Sequence, residues 1–256
     1  MLGNAVELDG VSQYLSLPPG VVWNMYDFTV AGWVKLSSVS GSEHLFDFGN
    51  GTTVSMYLTP RSAAGTVRFA ITTAGAAREQ RIDGTAALPA GIWTHVAVTK
   101  SALVARLYVN AVQVGENSNL GLYPARLGNT PNNWIGRSQS ADDPFLHGRI
   151  DDFQIHQRAL GLSELRGLVV FGQVNSLVDY IAEQPINGGV KRSLTARLDQ
   201  VLALLRAARK SAALAVLNDF VAQVSDLRGS QLTEEQAARL LESAALLRVN
   251  ITDGDS

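Results

Sequence analysis

The sequence predicts a mainly β chain with a small all-α part: an antiparallel β-sandwich of jelly-roll type over residues 1–168, then a four-helix bundle over residues 169–256. Three observations carry this. Up to about residue 157, apolar and polar side chains alternate with period two in short runs rich in Val, Thr, Phe, Tyr and Trp, bounded by Gly, Pro, Asn or Ser, as pleated strands require. From about residue 174 the apolar period lengthens to about 3.6 residues, that of helices packed along one face. The 256 residues, 46% hydrophobic and 17% charged, suffice to bury the core of one large all-β domain or of two ordinary ones.

In chain order the strand-like runs are AVELDG, QYLSLP, DFTVAGWVKL, EHLFDFGN, TTVSMYLT, TVRFAITT, IWTHVAVTK, ARLYVN and NNWIGR. Many short strands without a long helical pattern between them argue for a sandwich. HVAVT, apolar at almost every position, predicts a central strand covered on both faces. The last run, GRIDDFQIH, poses a problem. Strict alternation places Ile150, Asp152 and Gln154 on one face and Asp151, Phe153 and Ile155 on the other, so Asp151 is aimed with two large apolar side chains. An unpaired buried carboxylate is too costly to persist. Asp151 is therefore expected at the rim of the core, satisfied by backbone N–H groups and a helix start, or by a cation.

In the helical half three stripes recur: Leu194, Leu198, Val201 and Leu205; Leu214, Leu217, Val221 and Val224; and Leu240, Ala244 and Leu247. Pro185 and the Gly188-Gly189 pair close off a shorter first helix, SLVDYIAEQ, and Ser230 or Thr233 caps the last one ahead of Glu234 and Glu235. GLVVFGQV, residues 167–174, is too apolar for a free linker and is expected to pack against one unit or both. Ala207-Ala208 and Ala212-Ala213 let the helices approach closely, and an exposed remainder offers a surface for another domain or another copy of the chain.

Charge and cysteine usage exclude several functions. Formal net charge is −2 with the signs mixed: residues 1–170 carry 12 Lys and Arg against 13 Asp and Glu, residues 171–256 carry 9 against 10. Neither part attracts nucleic acid or an anionic membrane by bulk electrostatics. With no cysteine there is no disulfide, thiolate zinc site or cysteine nucleophile. No apolar run reaches the ~18 residues that span a bilayer. The opening MLGNAVELDG lacks the pattern of a signal peptide, so Met1 reads as an added start on a piece of a longer chain.

Several of these runs, in order, resemble a laminin-G-like domain of the concanavalin A-like lectin/glucanase superfamily, over residues 4–165. NAVELDGVSQYLSLP is similar to its opening strands with the Asp9-Gly10 turn, DFTVAGWVKL to its tryptophan strand, and GIWTHVAVTK to its W-x-H-V-A-V strand. VARLYVNAVQVG resembles the next hairpin, with Asn110-Ala111 in place of the more usual Asp-Gly. NNWIGR and GRIDDFQIHQRALGLSEL resemble the closing strands and the short helix after them. SLTARLDQVLALL and AALAVLNDFVAQVSDL, the latter with Asn218 and Phe220, resemble the FIMAH-type helical domain of secreted bacterial proteins. Together these resemblances imply a binding module at the cell surface or outside the cell, with neighbouring domains in a longer bacterial parent chain. The first also implies Ca2+ where the opening and closing strands meet, with Asp9 and Asp151 as candidate ligands. Turn chemistry suits both residues as well: an Asx turn at Asp9, and the N–H groups of the following turn at Asp151.

Catalysis lacks a motif. Glycoside hydrolysis uses two carboxylates about 5–10 Å apart, and the Glu-x-Asp-x-x-Glu run of the related glucanases is absent. Glu43 and Asp47 share a strand face roughly 13 Å apart; Asp142-Asp143 falls in a loop. His44, His95, His147 and His156 lack the short spacing of a zinc site, and His95 is expected in the core with Trp33 and Trp93. No G-x-S-x-G turn follows a strand. Aromatics outside the core strands are Trp23, Tyr57, Tyr123 and Trp134, and sugars are held by an aromatic face with polar groups at a cleft. The candidate ligand-binding residues are Tyr57, Arg61, Trp134 and Arg137. The expected function is non-catalytic binding of carbohydrate or a cell-surface glycan. The alternative is a structural module that packs against a catalytic neighbour or self-associates without a ligand.

Overall fold

The computed structural model describes residues 5–252. Its elements, in chain order, are β1 (Val6–Asp9), β2 (Leu15–Leu17), β3 (Phe28–Leu36), β4 (Phe46–Gly49), β5 (Ser55–Thr59), β6 (Arg68–Thr72), β7 (Gln80–Asp83), β8 (Trp93–Ser101), β9 (Val104–Val109), β10 (Val112–Asn117), β11 (Asn132–Ile135), β12 (His147–His156), α1 (Leu162–Glu183), α2 (Gly188–Arg206), α3 (Lys210–Leu227) and α4 (Glu234–Thr252). The strands form two six-stranded antiparallel sheets, ordered β1-β12-β3-β8-β9-β10 and β2-β11-β4-β5-β6-β7. Their facing sides enclose one core, with Phe28, Phe46, Phe48, Met56, Leu58, Phe69 and Ile71 among its fully buried side chains. This is the sandwich that the period of two predicts.

Two local features of the first sheet have a direct backbone cause. The β9–β10 hairpin turns on Asn110 and Ala111, both with positive φ (51° and 62°), the backbone that a two-residue turn matched to strand twist demands. In β12, Asp151 lies opposite Trp33 and Gln154 opposite Ala31, so Asp152 and Phe153 together face Gly32. This β-bulge corrects the strict alternation expected of β12. With Asp152 spent on the bulge at φ 46°, Ile150, Phe153 and Ile155 all turn to the core, and Asp151 turns away from it. Its Oδ1 accepts the Asp152 N–H at 2.9 Å. Gly32 gives the bulge room: a Cβ there would lie 3.2 Å from the Phe153 ring, which would have to shift by a few tenths of an ångström.

The chain divides into two compact units between Leu160 and Gly161, and the expected boundary at 168/169 falls inside α1. The first helix is longer than SLVDYIAEQ: GLVVFGQV is helical, because Val170, Val174, Leu177 and Ile181 form one stripe spaced four, three and four apart. That packing outweighs the cost of about 1 kcal/mol for each of Gly167 and Gly172 within a helix. In the second unit each helix packs against two others, α1 meeting α2 and α4 and α3 meeting α2 and α4, which closes a four-helix bundle. Its core includes Leu194, Leu198, Val201, Leu217, Phe220, Val224, Leu240 and Leu247. Thr233 caps α4: its Oγ1 accepts the Gln236 N–H at 3.1 Å while Gln236 Oε1 accepts the Thr233 N–H at 2.9 Å, a capping box.

Candidate functional site

The outer face of the second sheet carries the candidate site. Cross-strand register aligns Ser16, Trp134, Asp47, Tyr57, Ala70 and Arg81 in one row across all six strands. Their sequence neighbours Phe46, Phe48, Met56, Leu58, Phe69 and Ile82 point into the core, so alternation alone turns the polar set outward. Around the middle of this row is a cleft of about 250 Å3 whose lining includes His44, Asp47, Tyr57, Arg68, Glu79 and Gln139.

These side chains are tied to one another. His44 Nδ1 lies 2.8 Å from Asp47 Oδ2, which also accepts the Gln139 N–H at 2.9 Å. Burial pushes the Asp47 carboxyl above its ordinary pKa, against the opposing pull of His44 and the Gln139 N–H. Among the described residues, the buried Oδ1 of Asp47 has no hydrogen-bond partner. The His44 ring stacks on Tyr57, centroids 4.3 Å apart and planes 5° from parallel. The Tyr57 hydroxyl donates to Glu79 Oε2 at 2.9 Å, and burial first, then the Glu79 charge, raise its pKa. Arg68 and Arg81 lie 3.5 and 3.3 Å from Glu79 Oε1, and Arg68 Nε also donates to Asp83 at 2.6 Å. Gln139 accepts the Gly51 N–H at 3.0 Å and donates to the Asn132 carbonyl at 3.0 Å. The cleft is thus a rigid polar floor with one half-buried aromatic face.

Of the residues expected to bind ligand, Tyr57 is at the centre of this cleft. Arg61 is exposed and lines an adjoining hollow with Ser40, Gly41 and Ser42. The loop there is held by the buried Glu43, which accepts the Ser40 and Gly41 N–H groups at 2.9 and 2.6 Å; Glu43 precedes β4 and so does not share a strand with Asp47. Trp134 and Arg137 are not among the residues lining the cleft, although Trp134 shares the row with Tyr57 on the other side of Asp47. The Arg137 guanidinium covers the Trp134 ring at 4.2 Å and also lies 4.7 Å from Tyr14 and 5.6 Å from Phe145. The Trp134 face is therefore taken by a cation from its own chain. Trp23 is 64% exposed, and Tyr26, its ring 5.0 Å from that of Tyr123 and tilted 31° to it, is 60% exposed. His95 is buried against Trp33, and burial lowers its pKa to about 4.

Asp9 and Asp151 do not converge. Asp9 pairs with His147, so Asp151 is four residues further along β12, roughly 13 Å away. Asp9 Oδ1 instead accepts the N–H groups of Val11, Ser12 and Gln13 at 2.9, 2.9 and 3.0 Å. The pair does not fit a shared calcium ion, and among the described residues no group of three or more His, Asp or Glu is placed to hold a metal. Those three N–H groups lower the Asp9 pKa from 3.8 to about 2. The folded value lies below the unfolded one, so the stabilisation is complete above about pH 4 and vanishes as pH falls towards 2. The gap in urea midpoint between the parent and Asp9→Ala should accordingly shrink from pH 5 to pH 2; a constant gap would refute this.

Sequence reasoning missed Arg68, Glu79 and Gln139 altogether, and set aside His44 and Asp47 for want of a motif. Alternation in LFDFG and TVRFAIT marks Asp47 and Arg68 as outward. Their assembly depends on β4, β5, β6 and β7 lying side by side, which no local pattern states.

Residues 9–166 match the family model of the concanavalin A-like lectin/glucanase superfamily, of laminin-G type. The chain belongs to this superfamily. Residues 171–249, within the helical unit, match the FIMAH domain. No curated protein matches the chain. Among solved structures, the concanavalin A-like domain is similar to domain 4 of AbnA, an extracellular GH43 arabinanase from Geobacillus stearothermophilus, in complex with arabinotriose. Identity is 23%, coverage 66% of this chain and 77% of that one, and the TM-score 0.57. It is also similar to the CBM40 of the Ruminococcus gnavus IT-sialidase bound to α2,3-sialyllactose, at 15% identity, with 62% and 97% coverage and TM-score 0.51. The leech intramolecular trans-sialidase is matched at 18% identity over 64% of this chain and 26% of that one, TM-score 0.55. These likenesses show the shared fold. Among the described residues no helix is long and apolar enough to cross a membrane.

Proposed function

We propose that the concanavalin A-like domain is a carbohydrate-binding module, its site the polar cleft of the second sheet, serving a larger secreted or surface-attached bacterial protein. The observation that carries this is the interlocked cluster of His44, Asp47, Tyr57, Glu79 and Arg68, donors and acceptors held on the outer side of a sheet around a half-buried tyrosine. Sugar hydroxyls need many oriented polar partners, and a pre-organised floor lowers the entropic cost of supplying them. The superfamily membership supports the reading, as do neighbours seen with arabinotriose and with sialyllactose. The mixed charge of the cleft, with Arg68 and Arg81 already paired to Glu79 and Asp83, favours neutral hydroxyl-rich ligands over strongly anionic ones. Affinity per site is modest, and repeated copies in a parent protein would raise avidity.

A glycan array with the full chain, followed by calorimetry, tests this. Tyr57→Ala should weaken the best oligosaccharide by at least about tenfold, as expected of a buried aromatic anchor. Uniform silence on the array, together with a concentration-dependent sedimentation shift, would point to the assembly role instead.

A further inference from the structure

We propose that His44 is the specificity-determining group of the cleft, an acceptor locked by Asp47 that takes a hydrogen bond from a ligand hydroxyl; this rests on the carbohydrate-binding reading. Asp47 Oδ2 already receives one backbone N–H, from Gln139, at 2.9 Å. The oxygen that accepts it is also the one facing His44 Nδ1 at 2.8 Å, so a proton on Oδ2 would have to displace one of the two contacts. The contact is satisfied by Nδ1–H donating to the carboxylate, and this fixes the tautomer. The neutral ring then carries its lone pair on Nε2.

That leaves Nε2 as the ring's remaining polar atom. His44 lines the cleft, its ring is pinned flat against Tyr57, and among the described residues Nε2 has no hydrogen-bond partner and is not among the atoms sealed from the surface. A hydroxyl donating to it would sit against the exposed side of the His44–Tyr57 stack. Asp47 on β4 and Tyr57 on β5 contact His44, and Arg68 on β6, Glu79 ahead of β7 and Asp143 in the loop after β11 line the same cleft.

Hydrogen bonding at Nε2 separates this from a purely structural role, and nitrogen-15 shifts of the His44 ring report it directly. The full chain and His44→Phe, which keeps a ring on Tyr57 but has no acceptor, would be titrated with arabinotriose and with α2,3-sialyllactose. Support requires that a probe perturb the Nε2 shift in the parent and that His44→Phe bind roughly tenfold more weakly. Binding that is lost in Tyr57→Ala but indifferent to His44→Phe, with the Nε2 shift unmoved in the parent, would overturn the role of His44 and leave the cleft intact as a site. Silence with both probes and on a glycan array would remove the reading and the inference together.

Discussion

Deleting Gln154 should prevent the sandwich from folding, while deleting Asp152, two residues earlier, should leave it folded. The reason is the bulge, where Asp152 and Phe153 together oppose Gly32. Removing Asp152 lets Phe153 pair with Gly32 alone, so Ile150, Phe153 and Ile155 stay on the core side in their present register. It also removes a non-glycine residue held at φ 46°, a conformation that costs of order 1 kcal/mol. Removing Gln154 restores regular pairing in the other sense: Asp152 would face Gly32 and the core, and Phe153 would turn outward. Phe153 now packs 6.0 and 6.4 Å, centroid to centroid, from Phe46 and Phe48. Losing a packed phenylalanine costs about 3–5 kcal/mol, and a carboxylate forced among apolar side chains adds several more. The sum reaches the roughly 5–15 kcal/mol that holds a whole domain. Near-UV circular dichroism and thermal melts would check this; equal behaviour of the two deletions would show that the bulge does not set the phase of β12.

Phe220→Ala should unfold the helical unit and spare the sandwich. Phe220 is fully buried in the bundle core with Leu194, Leu217 and Val224, and that core shares no residue with the sandwich core. The cavity left behind costs about 3–5 kcal/mol, much of what a unit of this size has to lose. All four tryptophans, Trp23, Trp33, Trp93 and Trp134, precede Leu160, so tryptophan fluorescence follows the sandwich while the far-ultraviolet signal at 222 nm follows chiefly the helices. The variant should lose helical signal at temperatures where the fluorescence is unchanged. Simultaneous loss of both would mean that the two units unfold as one.

The fold was largely legible because its signals are local. Period two in DFTVAGWVKL and period 3.6 along Leu194, Leu198 and Val201 each report a face that must be buried, whatever the partner. Where the expectation failed, a residue was spent against the pattern: Asp152 breaks the alternation of β12, and the glycines of GLVVFGQV disguise a helix that packing sustains. The candidate site was legible in only one residue, Tyr57. Arg61 borders it, and the remaining two expected residues, Trp134 and Arg137, satisfy each other.

Outside the bulged strand β12, the sequence by itself determined which apolar side chains form the two cores, because burial of apolar surface follows from the order of residues along a single strand or helix. Only the tertiary structure decided that His44, Asp47, Tyr57, Arg68 and Glu79 form one cleft and that Asp9 and Asp151 stay apart. Those distances are set by which strands lie side by side and in what register. That is a property of pairing between segments up to 144 residues apart in the chain, as the alignment of Val6 with Ile150 shows, and no short stretch of sequence contains it.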